Sequence, residues 1–100
     1  MNVCKISVVK ICEHKDLSDL YELPQENPCN MKENMVFYSY SGERPKDFCH
    51  VAWKILSPYV DRLNNGETKI YGDWMKNPKS VMISCDDGFR PVSFYVEKIE

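Results

Sequence analysis

The chain lacks most of the features that announce a specialised architecture. It has only four glycines and six prolines in 100 residues, too few for a fibrous repeat or a low-complexity chain. No uncharged apolar run approaches the ~20 residues of a bilayer-spanning helix; Val92–Val96, interrupted by Ser93, is typical of the longest. Residues 1–12 do not read as a secretory n-region and h-region, because Lys5 and Lys10 fall inside an alternating pattern rather than ahead of a continuous apolar stretch. Neither sign of charge dominates: 13 Lys and Arg are interspersed among 15 Asp and Glu, giving a net charge of −2. That balance lacks the electrostatic footprint of a general nucleic-acid binder. There is no Gly-rich phosphate loop, no His-Glu-x-x-His and no Ser-His-Asp arrangement to argue from.

What the chain does have is enough apolar material for one core. Hydrophobic residues make up 43% and aromatics 12%, so a single domain that buries roughly 60–70% of its unfolded surface is expected, without metal or disulfide staples. Five cysteines, an odd number, stand at positions 4, 12, 29, 49 and 85, and no two have Cys-x-x-Cys spacing. That excludes a zinc knuckle or a thioredoxin-type motif and favours free thiols in a reducing, cytoplasmic setting.

Periodicity gives the elements. Residues 3–11 alternate, with Cys4, Ile6 and Val8 on one face, and read as a strand. Residues 14–22 fit about two helical turns; Pro24 and Pro28 stop regular structure, and Asn27-Pro28 signals a turn. Residues 35–40 are β-branched and aromatic and read as a second strand that Ser41-Gly42 ends. Residues 47–64 are the clearest helix: Phe48, Cys49, Ala52, Trp53, Leu56, Tyr59, Val60 and Leu63 share one face. Pro58 inside that pattern should kink or split the helix near Lys54. Residues 65–79 read as an ordered loop pinned by Tyr71 and Trp74. Val81, Ile83 and Cys85, the turn Asp86-Asp87-Gly88, and Val92, Phe94 and Val96 make a carboxy-terminal hairpin. Pro91 cannot donate to a ladder and places its end of the strand at an edge or bulge. The expected class is α+β: an antiparallel sheet of about four strands packed on one central helix.

Several of these residues can carry chemistry. Cys49 and Cys85 both face inward by periodicity. Unpaired cysteine is among the most buried residue types, so two small core residues are one outcome. The other is that they meet, joined by Cys29, as thiolates for a soft metal ion or as a dithiol pair. His14 and His50 read as solvated surface residues. Asp87 and Arg90 make turn chemistry by themselves, with Arg90 paired to a neighbouring carboxylate. Placed at a pocket rim above Cys85, they would orient a small anionic ligand. Trp74, between Gly72 and Pro78, could line a cleft.

These segments include His14-Lys15-Asp16-Leu17 with Tyr21, Pro28-Cys29, Phe48-Cys49 followed by Ala52-Trp53, and Cys85-Asp86-Asp87-Gly88-Phe89-Arg90-Pro91-Val92 with Phe94 after it. Together they resemble an uncharacterised family of small prokaryotic proteins of about this length, sometimes found as tandem copies. Members of that family often have Cys-Pro where this chain has Cys29-Asn30, Gly-Gly where it has Asn65-Gly66, and two adjacent cysteines where it has Ser84-Cys85. The resemblance implies no established activity, cofactor or substrate. It does imply that Cys29, Cys49 and Cys85 belong to a shared motif, with Cys4 and Cys12 outside it.

Two functions of different kinds follow as expectations. The first is a cytosolic protein that binds a soft metal or a small ligand, or acts in thiol redox, through Cys29, Cys49 and Cys85, with Asp87, Arg90 and Trp74 around the pocket. The second is a non-enzymatic interaction module, in which the thiols are core and Tyr38, Tyr40 and Tyr95 on an uncovered sheet face make homo-oligomer contacts. An enzyme acting on a small anion through Cys85 and Arg90 has no recognisable base.

Overall fold

A computed structural model describes residues 1–24 and 30–100. The apolar alternation of the first segment becomes strand β1 (Val3–Ile11), followed by a short helix α1 (Lys15–Tyr21) and strand β2 (Val36–Tyr40). Helix α2 (His50–Asn64) comes next, then β3 (Ser80–Ser84) and β4 (Val92–Lys98). The four strands form one antiparallel sheet in the order β2-β1-β4-β3, so both terminal segments of the chain lie in its centre. The expected α+β architecture, sheet on central helix with a carboxy-terminal strand pair, is what the chain adopts.

Register follows from the period of two. Ile6 lies between Phe37 and Val96, and Phe94 between Val8 and Ile83. These residues share the face on which α2 packs through Ala52, Leu56, Val60 and Leu63, spaced to line one stripe of the helix. Phe48 wedges in just before the helix. Its ring centroid lies 4.9 Å from Phe37, 5.5 Å from Phe94 and 6.1 Å from Trp53. Each such side chain taken fully out of water contributes about 1.5–3 kcal/mol.

Four local expectations need correction. The helix begins at His50 and not at Asp47. Asp47 has φ 63°, and the Phe48 N–H closes a turn on the Pro45 carbonyl at 3.2 Å, so the first helical bond is the Trp53 N–H to the Cys49 carbonyl. The helix also runs through Pro58 unbroken. Pro58 is exposed, on the side where water can take the carbonyl that the missing N–H would have bonded, so the lost bond does not split it. Pro91 lies just ahead of a central strand and not an edge strand. Only its carbonyl is used there, accepting from the Cys12 N–H at 3.0 Å, and the sheet's irregularity is in β1, between Val8 and Lys10. Finally, the 65–79 loop is attached by Tyr71 and not by Trp74. The Tyr71 hydroxyl donates to the Met82 carbonyl at 3.1 Å, whereas Trp74 is 85% exposed.

Candidate functional site

The thiols fall in different environments. Cys4, in β1, is fully buried, and its Sγ lies 3.5 Å from Asn64 Oδ1 at the far end of α2. Burial pushes this thiol's pKa up, against a smaller opposing pull from Lys98. Cys49 caps the start of α2 and is half-buried. It lies on a cavity of about 400 Å³ with Asn30, Arg44, Asp47 and His50. Cys85 follows β3 and is tied twice to Val92: its N–H donates to the Val92 carbonyl at 3.0 Å, and its Sγ accepts from the Val92 N–H at 3.3 Å. Cys29 lies outside the described residues, although the next residue, Asn30, lines the Cys49 cavity. Among the described residues, no group of three His, Cys, Asp or Glu side chains is placed to hold a metal ion. His14 and His50 are exposed, as expected.

Asp87 performs the turn chemistry expected of it. Its Oδ1 accepts from the Phe89 N–H at 2.8 Å and the Arg90 N–H at 3.1 Å, fixing the loop between β3 and β4. Arg90 pairs with a carboxylate, but the carboxylate is Glu22, not an aspartate of its own turn. The two guanidinium nitrogens reach the two Glu22 oxygens at 2.7 and 3.1 Å, with the side chains 23% and 14% exposed. This two-pronged bond holds the Glu22 carboxyl below its ordinary range and raises the Arg90 pKa. Arg90 does line a cavity, of about 380 Å³, between α1 and this loop. The other charged groups there are Glu13, Asp19 and Glu22 against Lys15, so carboxylates outnumber cations and a small anion is poorly matched. Glu22 is the residue that sequence reasoning missed. The contact spans 68 positions, and no spacing rule encodes it. Trp74 packs its ring against Tyr71 at 5.9 Å and otherwise faces solvent.

The sheet face that α2 does not cover is the other prominent feature. Parity puts Val36, Tyr38 and Tyr40 of β2 there, with Lys5 and Ser7 of β1, Tyr95 and Glu97 of β4, and Met82 of β3. Val36, Tyr38, Tyr40 and Met82 are 45, 41, 54 and 44% exposed. The Tyr38 and Tyr40 rings stack at 6.4 Å with 29° between their planes. Tyr95, between them and Met82, is half-buried, with its hydroxyl 3.5 Å from Asn77 Nδ2.

The same parity sets the backbone of β2. The Ser41 N–H bonds the Asn2 carbonyl, and the Val8 N–H bonds the Met35 carbonyl. The odd-numbered residues of this segment therefore bond β1, and Val36, Tyr38 and Tyr40 turn their N–H and C=O groups to the open edge. Among the described residues, the only backbone bond made there is from the Glu43 N–H to the Tyr40 carbonyl.

Compared with family models, curated proteins and solved structures, the chain finds no match in any of the three. No helix among the described residues is long and apolar enough to cross a membrane.

Proposed function

We propose that this chain is a non-enzymatic interaction module that works by self-association through the side of its sheet that α2 leaves uncovered. One observation carries the reading. Val36, Tyr38 and Tyr40 stand about half exposed on β2, on the face that also carries Tyr95 and, at the opposite edge, Met82. Scattered exposed apolar residues need no explanation, but Val36 with the stacked Tyr38 and Tyr40 side by side on one strand is an aromatic-rich surface of the kind interfaces use. Lys5 and Glu97, directly paired across the two central strands, add one charge of each sign, so the face suits a copy of itself without like-charge conflict. The engagement of Arg90 by Glu22 points the same way, because it commits the cation that an anionic substrate would need.

Light scattering of the purified protein tests this. An assembly larger than the monomer is expected, and Tyr38→Glu should return it to the monomer while the number of titratable thiols stays the same. A native chain that remains monomeric at millimolar concentration would overturn the reading.

Thiol or soft-metal chemistry is the second reading, supported by the cavity that Cys49 shares with Asp47 and His50 beside Asn30, the neighbour of Cys29. Elemental analysis with thiol titration before and after chelation tests it. Stoichiometric metal that is lost in Cys49→Ser would support it, and metal-free protein with unperturbed thiols would remove it.

A further inference from the structure

We infer that the self-association is edge to edge. β2 of one copy pairs antiparallel with β2 of a second, Tyr38 facing Tyr38 across the two-fold axis, so that the two sheets become one continuous sheet. This rests on the interaction reading above and narrows the contact to the β2 border of that face, with Tyr95 and Met82 outside it. The backbone geometry is already arranged for it. Val36, Tyr38 and Tyr40 hold outward N–H and C=O groups at regular strand spacing. In this register Tyr38 exchanges both its bonds with its symmetry mate, and Val36 exchanges bonds with Tyr40 of the second copy. A carbonyl has two lone pairs, so the Tyr40 oxygen accepts there while keeping the Glu43 N–H.

The side chains agree with the backbone. The facing pairs are tyrosine on tyrosine and valine on tyrosine, the aromatic and β-branched combinations that favour cross-strand pairing. Residues 34–42 carry no charged side chain, so β2 meets a second β2 without either strand having to desolvate an ion of its own. Of the flanking charges, Glu33 is engaged by the Ile11 N–H at 2.9 Å and Arg44 by the Phe48 carbonyl at 2.6 Å, while Lys32 and Glu43 lie beyond the turns that end β2. Positive φ at Asn34 (74°), Ser41 (53°) and Gly42 (78°) turns the chain at both ends of β2 and confines pairing to this segment. Of the devices that blunt edge strands, β2 has shortness, at five residues, but no lysine, proline or bulge. The opposite edge is different. Its outward Met82 carbonyl is taken by Tyr71, so β3 offers a less complete template than β2, and the two-fold β2 contact closes on itself.

Tyr38→Pro tests this directly. It removes the outward N–H of Tyr38 and leaves the β1 bonds, which belong to the odd residues, in place; proline is tolerated at an edge on just that condition. Met82→Glu alters the same face far from the β2 edge. Edge pairing predicts that Tyr38→Pro weakens self-association at least about tenfold, that Met82→Glu stays associated, and that the Val36 and Tyr38 amides exchange more slowly as wild-type concentration rises. The exchange arm holds even if Tyr38→Pro does not fold. Association lost in Met82→Glu but kept in Tyr38→Pro, or β2 amides indifferent to concentration in an associated sample, would overturn edge pairing and leave the interaction reading standing. A wild-type chain monomeric at millimolar concentration overturns both.

Discussion

At one edge of the sheet, β3 has its outward Met82 carbonyl capped by the Tyr71 hydroxyl. Tyr71 is itself held between the rings of Tyr59 and Trp74, and the Lys69 N–H clasps the Pro78 carbonyl to close the covering loop. At the other edge, among the described residues, the even-numbered backbone groups of β2 have no backbone partner but the Glu43 N–H, and three large side chains are about half exposed. An unpaired edge is a template for another strand, and a chain that leaves one exposed either tolerates association or uses it. Covering β3 requires the ordered segment from 65 to 79. Under the proposed interaction reading, this contrast among the described residues favours the β2 side for the contact.

The comparison can be broken most forcefully at Phe48. Its ring is the support beneath β2, through Phe37, and also touches Phe94 of the central strand. Phe48→Ala should cost about 3–5 kcal/mol in denaturant unfolding, with β2 amides losing more exchange protection than β3 amides. A cost below about 1 kcal/mol would mean that β2 is held by other contacts. Next in size is Tyr71→Phe, which removes the cap and leaves the Met82 carbonyl without its partner. We expect a loss of about 0.5–1.5 kcal/mol and, in sedimentation, larger species built through the newly bare β3 edge. Unchanged stability and an unchanged size distribution would show that the tyrosine hydroxyl protects nothing.

The cysteines sharpen the same contrast as reporters. Cys4 pairs with Ser39 of β2 and is buried, with its thiol pushed up by desolvation; Cys85 closes β3 and is half-buried. Because the thiolate is the reacting form, alkylation of Cys4 in the native protein should be at least about tenfold slower than that of Cys85. Phe48→Ala should accelerate Cys4 selectively. Equal rates in the native protein would place Cys4 in an opening segment and not in the core.

The sequence made the architecture legible wherever a short-range period governs burial. Cys4, Ile6 and Val8, the Ala52-Leu56-Val60-Leu63 stripe, and Val92, Phe94 and Val96 face inward as their spacing requires. Conformations set by one dihedral were not legible: Asp47 at positive φ moved the helix start, and nothing in the composition of 47–64 marks it. Trp74 illustrates a different failure, since size and apolarity argue for burial but Tyr71 already fills the place beside β3. The candidate site was least legible because it is made of long-range contacts. Glu22 meets Arg90 across the chain, the parity that opens the β2 edge depends on which strand lies beside it, and three cysteines identified by motif gave no information on convergence.

The smallest expected effect is at the hairpin end of β3, where Glu22 joins α1 to Arg90. The bond from Arg90 holds the Glu22 carboxyl below its ordinary value of about 4.5, so the folded state keeps Glu22 ionised at pH values where the unfolded chain has begun to protonate it. The contribution is therefore fully present above the ordinary glutamate value and disappears as pH falls through the lowered folded value. Glu22→Gln keeps the shape and removes the charge. Its melting temperature should lie below that of the wild type at neutral pH, and the two curves should converge in acid, because the protonated carboxyl and the carboxamide that replaces it are then nearly equivalent. A constant gap down to low pH would mean that the substitution acts through packing of α1 and not through the ion pair. α1 buries none of its residues completely, and this pair and the His14 N–H bond to the Phe89 carbonyl tie its two ends to the loop between β3 and β4. Loss of the pair should free α1 while leaving both sheet edges, and any association through β2, as they were.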